Sequence, residues 1–269
     1  MSAFRQPAIF LPHGGGPCFW MEFPPPFGPH AWDGLRDYLS GIVASLPAPP
    51  KAFLVVSAHW EEEKPTVSTN PAPGMLFDYY GFPEHTYKLN YPAPGDSGLA
   101  AEVKALLEKA GLAAGEDGTR GFDHGVFVPF LIVDPAANIP VVTMSIERNL
   151  DPARHIAVGK ALAALRDQGV VVVGSGMSFH DLRHFFDGDG RASAAFDAWL
   201  DETLTKSDPA TRERRLIAWK EAPYARACHP REEHLIPLMV VAGAAGEGAG
   251  RHSFKDVIGG KTISGFRFD

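Results

Sequence analysis

Histidines that could do chemistry stand at repeated addresses in this chain. The run AIFLP leads into His13 within PHGGGP, AFLVVSA leads into His59 ahead of Trp60, and VVVVGSGMSF leads into His180. Three apolar runs thus each deliver an imidazole at or just past the carboxyl end. Imidazole ligates transition metals and changes charge near neutral pH, so such a group can hold a metal, move protons, or both. Any one of them reads ordinarily as a satisfied polar residue at a strand end. Three equivalent placements argue against coincidence. His124 follows in GFDHGVFVP, which reads as a turn-rich loop, and CHPREEHLIPL carries His229 and His234.

Spacing sorts the candidates. His229 and His234 are five apart, which on a helix separates them by about 140°. His234 leads Leu235, Ile236 and Leu238 and is expected to point inward; His229 precedes Pro230, a helix-start signal, and is expected at the surface or as a cap. His180 and His184 could pair on one helical face, but Asp181, Arg183 and His184 read as a solvated turn. Cys18 and Cys228 lack CxxC spacing and read as small buried apolar residues. Gly174-Ser175-Gly176 resembles the start of a dinucleotide loop, yet Phe179 stands where the third glycine belongs. Ser175 lies outside any GxSxG elbow.

Rigid strands must position these groups. Ala8–Leu11, Ala52–Val56, Ile139–Ile146 and Val170–Val173 are continuous apolar runs suited to parallel strands buried on both faces. Amphipathic stretches at Trp32–Leu46, Ser97–Ala110 and Pro152–Arg166 have helical period. The part from Arg191 to Ala242 reads mostly helical, and Ser253–Phe268 as one or two edge strands. The expectation is α/β: a single catalytic domain over 1–269, with a central, mostly parallel or mixed sheet covered by helices on both faces. In such sheets ligands bind outside the carboxyl ends of the strands. Two irregular excursions, Pro24–His30 and Pro71–Gly95, are long enough to be functional.

The chain has 269 residues, 45% apolar, with a net charge of −7 and no basic run, which disfavours nucleic acid as a partner. No apolar stretch approaches the roughly 20 residues of a membrane span. The start, MSAFRQPAIFLPHGGGP, lacks a secretory pattern, so a cytoplasmic location is expected.

PHGGGP, SAHW, YYGFP with YPAPG, GFDHGVFVP, GSGMSFHDL and HPREEHLIPL together resemble the class III extradiol dioxygenases of the LigB superfamily, in the branch that includes the DOPA dioxygenases. The pieces span nearly the whole chain in order. The resemblance implies that His13, His59 and His234 ligate a metal. His180 would serve as catalytic acid/base and a further candidate ligand in the resting site, and His124 would contact substrate or oxygen. Glu233 stays open as an alternative ligand, since another branch uses two histidines and a carboxylate. The metal would be Fe(II), with Zn(II) able to occupy the site in purified protein. The partners would be a small-molecule catechol and O2, and the chain a monomer or homodimer. The product would be of the muconic semialdehyde type. Trp60, Tyr80 and Phe82, with Tyr79 and Pro83 nearby, are expected to wall the pocket, and Arg120, Arg183 or Arg231 to reach it if the substrate is anionic. The rivals are a zinc hydrolase on the same three histidines and a non-catalytic, Memo-like binding module. Retention of both His124 and His180 favours the enzyme.

Overall fold

A computed structural model of the chain describes residues 4–24, 27–185 and 189–269. The strands are β1 (Ala8–Pro12), β2 (Ala52–Glu62), β3 (Thr66–Ser68), β4 (Gly115–Asp117), β5 (Val141–Glu147), β6 (Val170–Gly176), β7 (Gly250–Ile258) and β8 (Lys261–Phe268). They form one mixed sheet in the order β4-β3-β5-β2-β6-β1-β8-β7. The four apolar runs of the sequence are its centre, β5-β2-β6-β1, and neighbours there pair in parallel. Every residue of β1, β5 and β6 is buried. That is why these strands read as continuous apolar runs without alternation.

The helices are α1 (Asp33–Ser40), α2 (Ser97–Lys109), α3 (His124–Val133), α4 (Pro152–Leu162), α5 (Arg191–Asp201), α6 (Pro209–Ile217), α7 (Ala225–Cys228) and α8 (Ile236–Ala245). Successive side chains of a strand face opposite ways, and β6 shows what covers each face. Ser175 reaches the Gly125 carbonyl in α3, whereas a Cβ on Gly174 would strike the Pro237 carbonyl in α8. One hydrophobic core runs through both layers. No helix among the described residues is long and apolar enough to cross a membrane.

Three expectations are corrected here. His124 is not in a turn-rich loop but opens α3, whose first N–H donates to Asp78 Oδ1 at 2.9 Å, a cap supplied from 46 residues away. No helix starts at Pro230. Residues 230–232 are bent or irregular and 233–235 form a turn, and α8 begins at Ile236 with Pro237 in its first turn, where a missing N–H costs nothing. Of the two C-terminal strands only β7 is an edge; β8 is fully buried between β1 and β7. Part of the Pro24–His30 excursion lies outside the described residues.

Candidate active site

Because β1, β2 and β6 are parallel, their carboxyl ends share one rim of the sheet. His13 follows β1 directly, its N–H extending the ladder to the Gly176 carbonyl at 3.2 Å. His59 sits in an irregularity of β2: between Ser57 and Glu61 that strand leaves its ladder with β5, which meanwhile advances only from Ser145 to Ile146. The resulting bulge re-aims His59 at the rim. His234 arrives from the other side of the sheet, in the turn before α8. Met177 N–H donates to the His234 carbonyl at 3.0 Å, and a Cβ on Gly176 would lie 2.2 Å from that same oxygen. Gly174 and Gly176 therefore serve close backbone docking of the segment that carries His234.

The three imidazoles converge. His59 Nε2 lies 3.2 Å from His13 Nε2 and 3.3 Å from His234 Nε2. Their outer nitrogens fix the tautomers. Ser175 spends its hydroxyl hydrogen on the Gly125 carbonyl, so at 2.9 Å it accepts from His13 Nδ1–H. A Glu233 carboxylate oxygen can only accept, so at 2.9 Å it takes His234 Nδ1–H. His59 Nδ1 faces Asp78 Oδ2 at 3.6 Å. Nε2 is thus left as a bare lone pair on His13 and His234, aimed at its neighbours. Burial, with the surrounding imidazoles, holds His13 and His234 well below the ordinary histidine range. Burial foremost, then His124, pushes His59 down to about 3. All three are neutral at pH 7, the form that ligates a metal.

Two further histidines flank this triangle. His180 stacks on His234 with ring centroids 3.4 Å apart, and its Nδ1 is 3.1 Å from Glu233 Oε1. His124 lies 3.9 Å from the His59 ring, and its Nδ1 is 2.8 Å from Asp78 Oδ1. Glu233 and Asp78 each hold two imidazoles in place. Burial is the largest influence on both carboxyls and raises them; the histidine contacts prevail and leave both below their usual range. Glu233 meets His234 at Nδ1, the nitrogen facing away from the triangle. Ser175 and Asp78 escaped sequence reading because their partners lie 162 and 46 residues away.

The five histidines floor a cavity of about 300 Å³ whose walls include Phe82, Tyr79, Phe27, Trp32 and Phe185. Phe82 lies where the sequence suggested. Tyr80 does not: it is 91% exposed, and its neighbour Tyr79 turns inward, with its hydroxyl donating to the Thr86 carbonyl at 2.7 Å. Trp60 is buried away from the cavity, because strand alternation sends it opposite to His59; its Nε1–H donates to Glu62 and its ring carries the Arg120 guanidinium. None of the three arginines lines the cavity. Arg120 pairs with Asp123, Arg231 with Glu61, and Arg183 with Asp181. The Phe27–Trp32–Phe185 wall was unread, because aromatic residues in a Pro-rich stretch and beyond His180 carry no periodic signal.

The remaining candidates stand apart. His229 is not at the surface but fully buried, donating Nε2–H to the Ser178 carbonyl at 3.0 Å, and burial pushes it down to about 4. His184 is exposed beside Asp181. Cys18 and Cys228 are buried free thiols pushed up to about 12 by burial.

Among the described residues three groupings could hold a metal: His13–His59–His234, His59–Asp78–His124 and His180–Glu233–His234. The first fits best. Nitrogens about 2.1 Å from one ion lie roughly 3.0–3.4 Å apart, which matches the two spacings above. Without an ion, at most one of the two lone pairs beside His59 finds a donor. Their outer nitrogens meet a hydroxyl and carboxylates, as ligating imidazoles require.

A family profile described as the catalytic LigB subunit of aromatic ring-opening dioxygenase matches residues 7–266. A protein named 4,5-DOPA dioxygenase extradiol from Beta vulgaris is 40% identical over 202 residues, covering 74% of each chain. One of the same name from Escherichia coli K12 is 33% identical over 248 residues, covering 91% of this chain and 87% of that one. Dioxygenase tasH from Hapsidospora irregularis is 38% identical, covering 90% and 78%. The solved structure of an uncharacterized Escherichia coli K12 protein superposes with a TM-score of 0.77 at 28% identity, covering 98% of this chain and all of that one. The chain belongs to the LigB family, the class III extradiol dioxygenases.

Proposed function

We propose that His13, His59 and His234 hold Fe(II) and that the protein opens the ring of a catechol with O2, giving a muconic semialdehyde-type product. The observation that carries this reading is the triangle of Nε2 atoms at the floor of an apolar cavity, flanked by two histidines outside it. Fe(II) bound there would supply electron exchange with O2, which redox-inert Zn(II) lacks.

The chain's own residues handle binding and protons. The apolar walls accept a planar ring and exclude water. Catechol hydroxyls must lose protons, and ring opening needs one returned. His180 is the acid/base: Glu233 takes its Nδ1–H, which leaves Nε2 to accept a proton and give it back. His124, fixed through Nδ1–H by Asp78, offers Nε2 as an acceptor to a catechol hydroxyl. Glu233 acts as orienter of His180 and His234, not as ligand.

The test is chelator-treated protein reloaded with Fe(II) or Zn(II), assayed by oxygen uptake with a catechol panel. Turnover with Fe(II) alone is expected. Equal catechol turnover with Zn(II) alone would overturn the oxygenase reading.

A further inference from the structure

Beyond its five histidines and three glycines, the cavity is walled entirely by apolar or aromatic side chains. The hydroxyl of Tyr79 is already spent on the Thr86 carbonyl. No lysine, arginine, carboxylate or amide side chain lines it among the described residues, and the remaining positions include no lysine or arginine. The arginines nearest in sequence to the site each face a carboxylate: Arg120 with Asp123 at 3.1 Å, Arg183 with Asp181 at 3.6 Å and Arg231 with Glu61 at 2.6 Å.

Three of the lining aromatic rings stack in near-parallel succession. Trp32 and Phe185 lie 13° from parallel with centroids 6.5 Å apart, and Phe27 and Phe185 lie 14° from parallel at 6.1 Å. Such faces favour another ring or an alkyl group packed against them. The volume of about 300 Å³ reaches the size of sites that hold molecules larger than a bare catechol.

A charged substituent on the substrate would have to shed water against these rings with no counter-charge among the described lining residues, which is costly. An apolar substituent gains by the same transfer. Resting on the ring-opening reading, we infer that the substrate is a catechol carrying an uncharged apolar or aryl substituent, and that carboxylate- or ammonium-bearing catechols are selected against.

The experiment separates selectivity from chemistry. Binding of 4-phenylcatechol, 3,4-dihydroxyphenylacetate and L-DOPA to Zn(II)-loaded protein is measured by calorimetry, and oxygen uptake with the same three is measured on Fe(II)-loaded protein. The expected result is binding of 4-phenylcatechol about 10- to 100-fold tighter than either charged catechol, with the same order in kcat/KM. Equal or tighter binding of either charged catechol overturns the inference and leaves ring opening untouched, as does failure of 4-phenylcatechol to bind. The expected binding order without oxygen uptake upholds the pocket's selectivity and removes the ring-opening reading.

Discussion

Arg166 and the converging histidines are both buried polar groups, set at opposite ends of the same parallel strands. At the amino end, Arg166 Nε donates to the Gln6 carbonyl at 2.6 Å, Nη1 to Ala244 at 2.9 Å and Nη2 to Phe268 at 2.9 Å. Each guanidinium nitrogen has its acceptor. At the carboxyl end, Nε2 atoms of three imidazoles face one another, and two of them are bare lone pairs turned on the third. A closed polar network holds a fold together; an open one is kept for something else to complete. Polarity and burial alone do not distinguish the two. Satisfaction does.

The sharpest way to break this contrast is to remove a converging nitrogen. His13→Ala, His59→Ala and His234→Ala should each lose bound metal and all turnover, while His229→Ala and His184→Ala keep stoichiometric metal by elemental analysis. Metal retained in His234→Ala but lost in Glu233→Ala would transfer the ligand role to the carboxylate. Next in size is His180→Gln, which leaves the triangle intact. Its iron content should match wild type while kcat falls roughly 10²- to 10⁴-fold, as for loss of a positioned proton-transfer group. An unchanged kcat would take His180 out of the chemistry.

At the closed end the signature should invert. Arg166→Met strands several buried carbonyls and should cost about 3 kcal/mol in denaturant midpoint analysis, with kcat per bound metal unchanged. A kcat loss without a stability loss would erase the distinction. The smallest effect concerns His229, buried outside the site and held at about 4 against an ordinary 6.5. Above pH 6.5 it is neutral folded or unfolded and contributes no pH dependence. Below 6.5 the unfolded chain takes up a proton that the folded chain refuses until about pH 4, so stability falls across that window. Metal-free His229→Gln should escape this cost, gaining about 2 kcal/mol on metal-free wild type at pH 5 relative to pH 8. Parallel stability curves would show that His229 takes up its proton normally.

The centre of the sheet was legible because burial on both faces forces continuous apolar runs, and His13 and His59 were legible because they end such runs. His234 faces inward as expected, though not for the helical reason: no helix links it to His229, and backbone docking against Gly176 sets its place. His124 hid its helix because the cap comes from Asp78, and local patterns cannot show a partner 46 residues away. The burial of His229 hid behind Pro230, which signalled a helix start that the chain does not take. Tyr79 and Tyr80 are adjacent in an irregular loop, so nothing local says which turns inward.

The docking of His234 against β6 has a consequence for assembly order. His59 stands 46 residues from His13 and 175 from His234 along the chain. The first two nitrogens meet only once β6 seats between β1 and β2, and the third arrives when α8 seats on the sheet. A metal held by all three would therefore be captured tightly only once residues far apart in the chain have met, because a site absent from the unfolded state makes binding energy into folding energy. Metallation at this site would be a late checkpoint: an ion there would bridge the first strand to the last helix, and a nascent or truncated chain lacking α8 has no triangle to offer it.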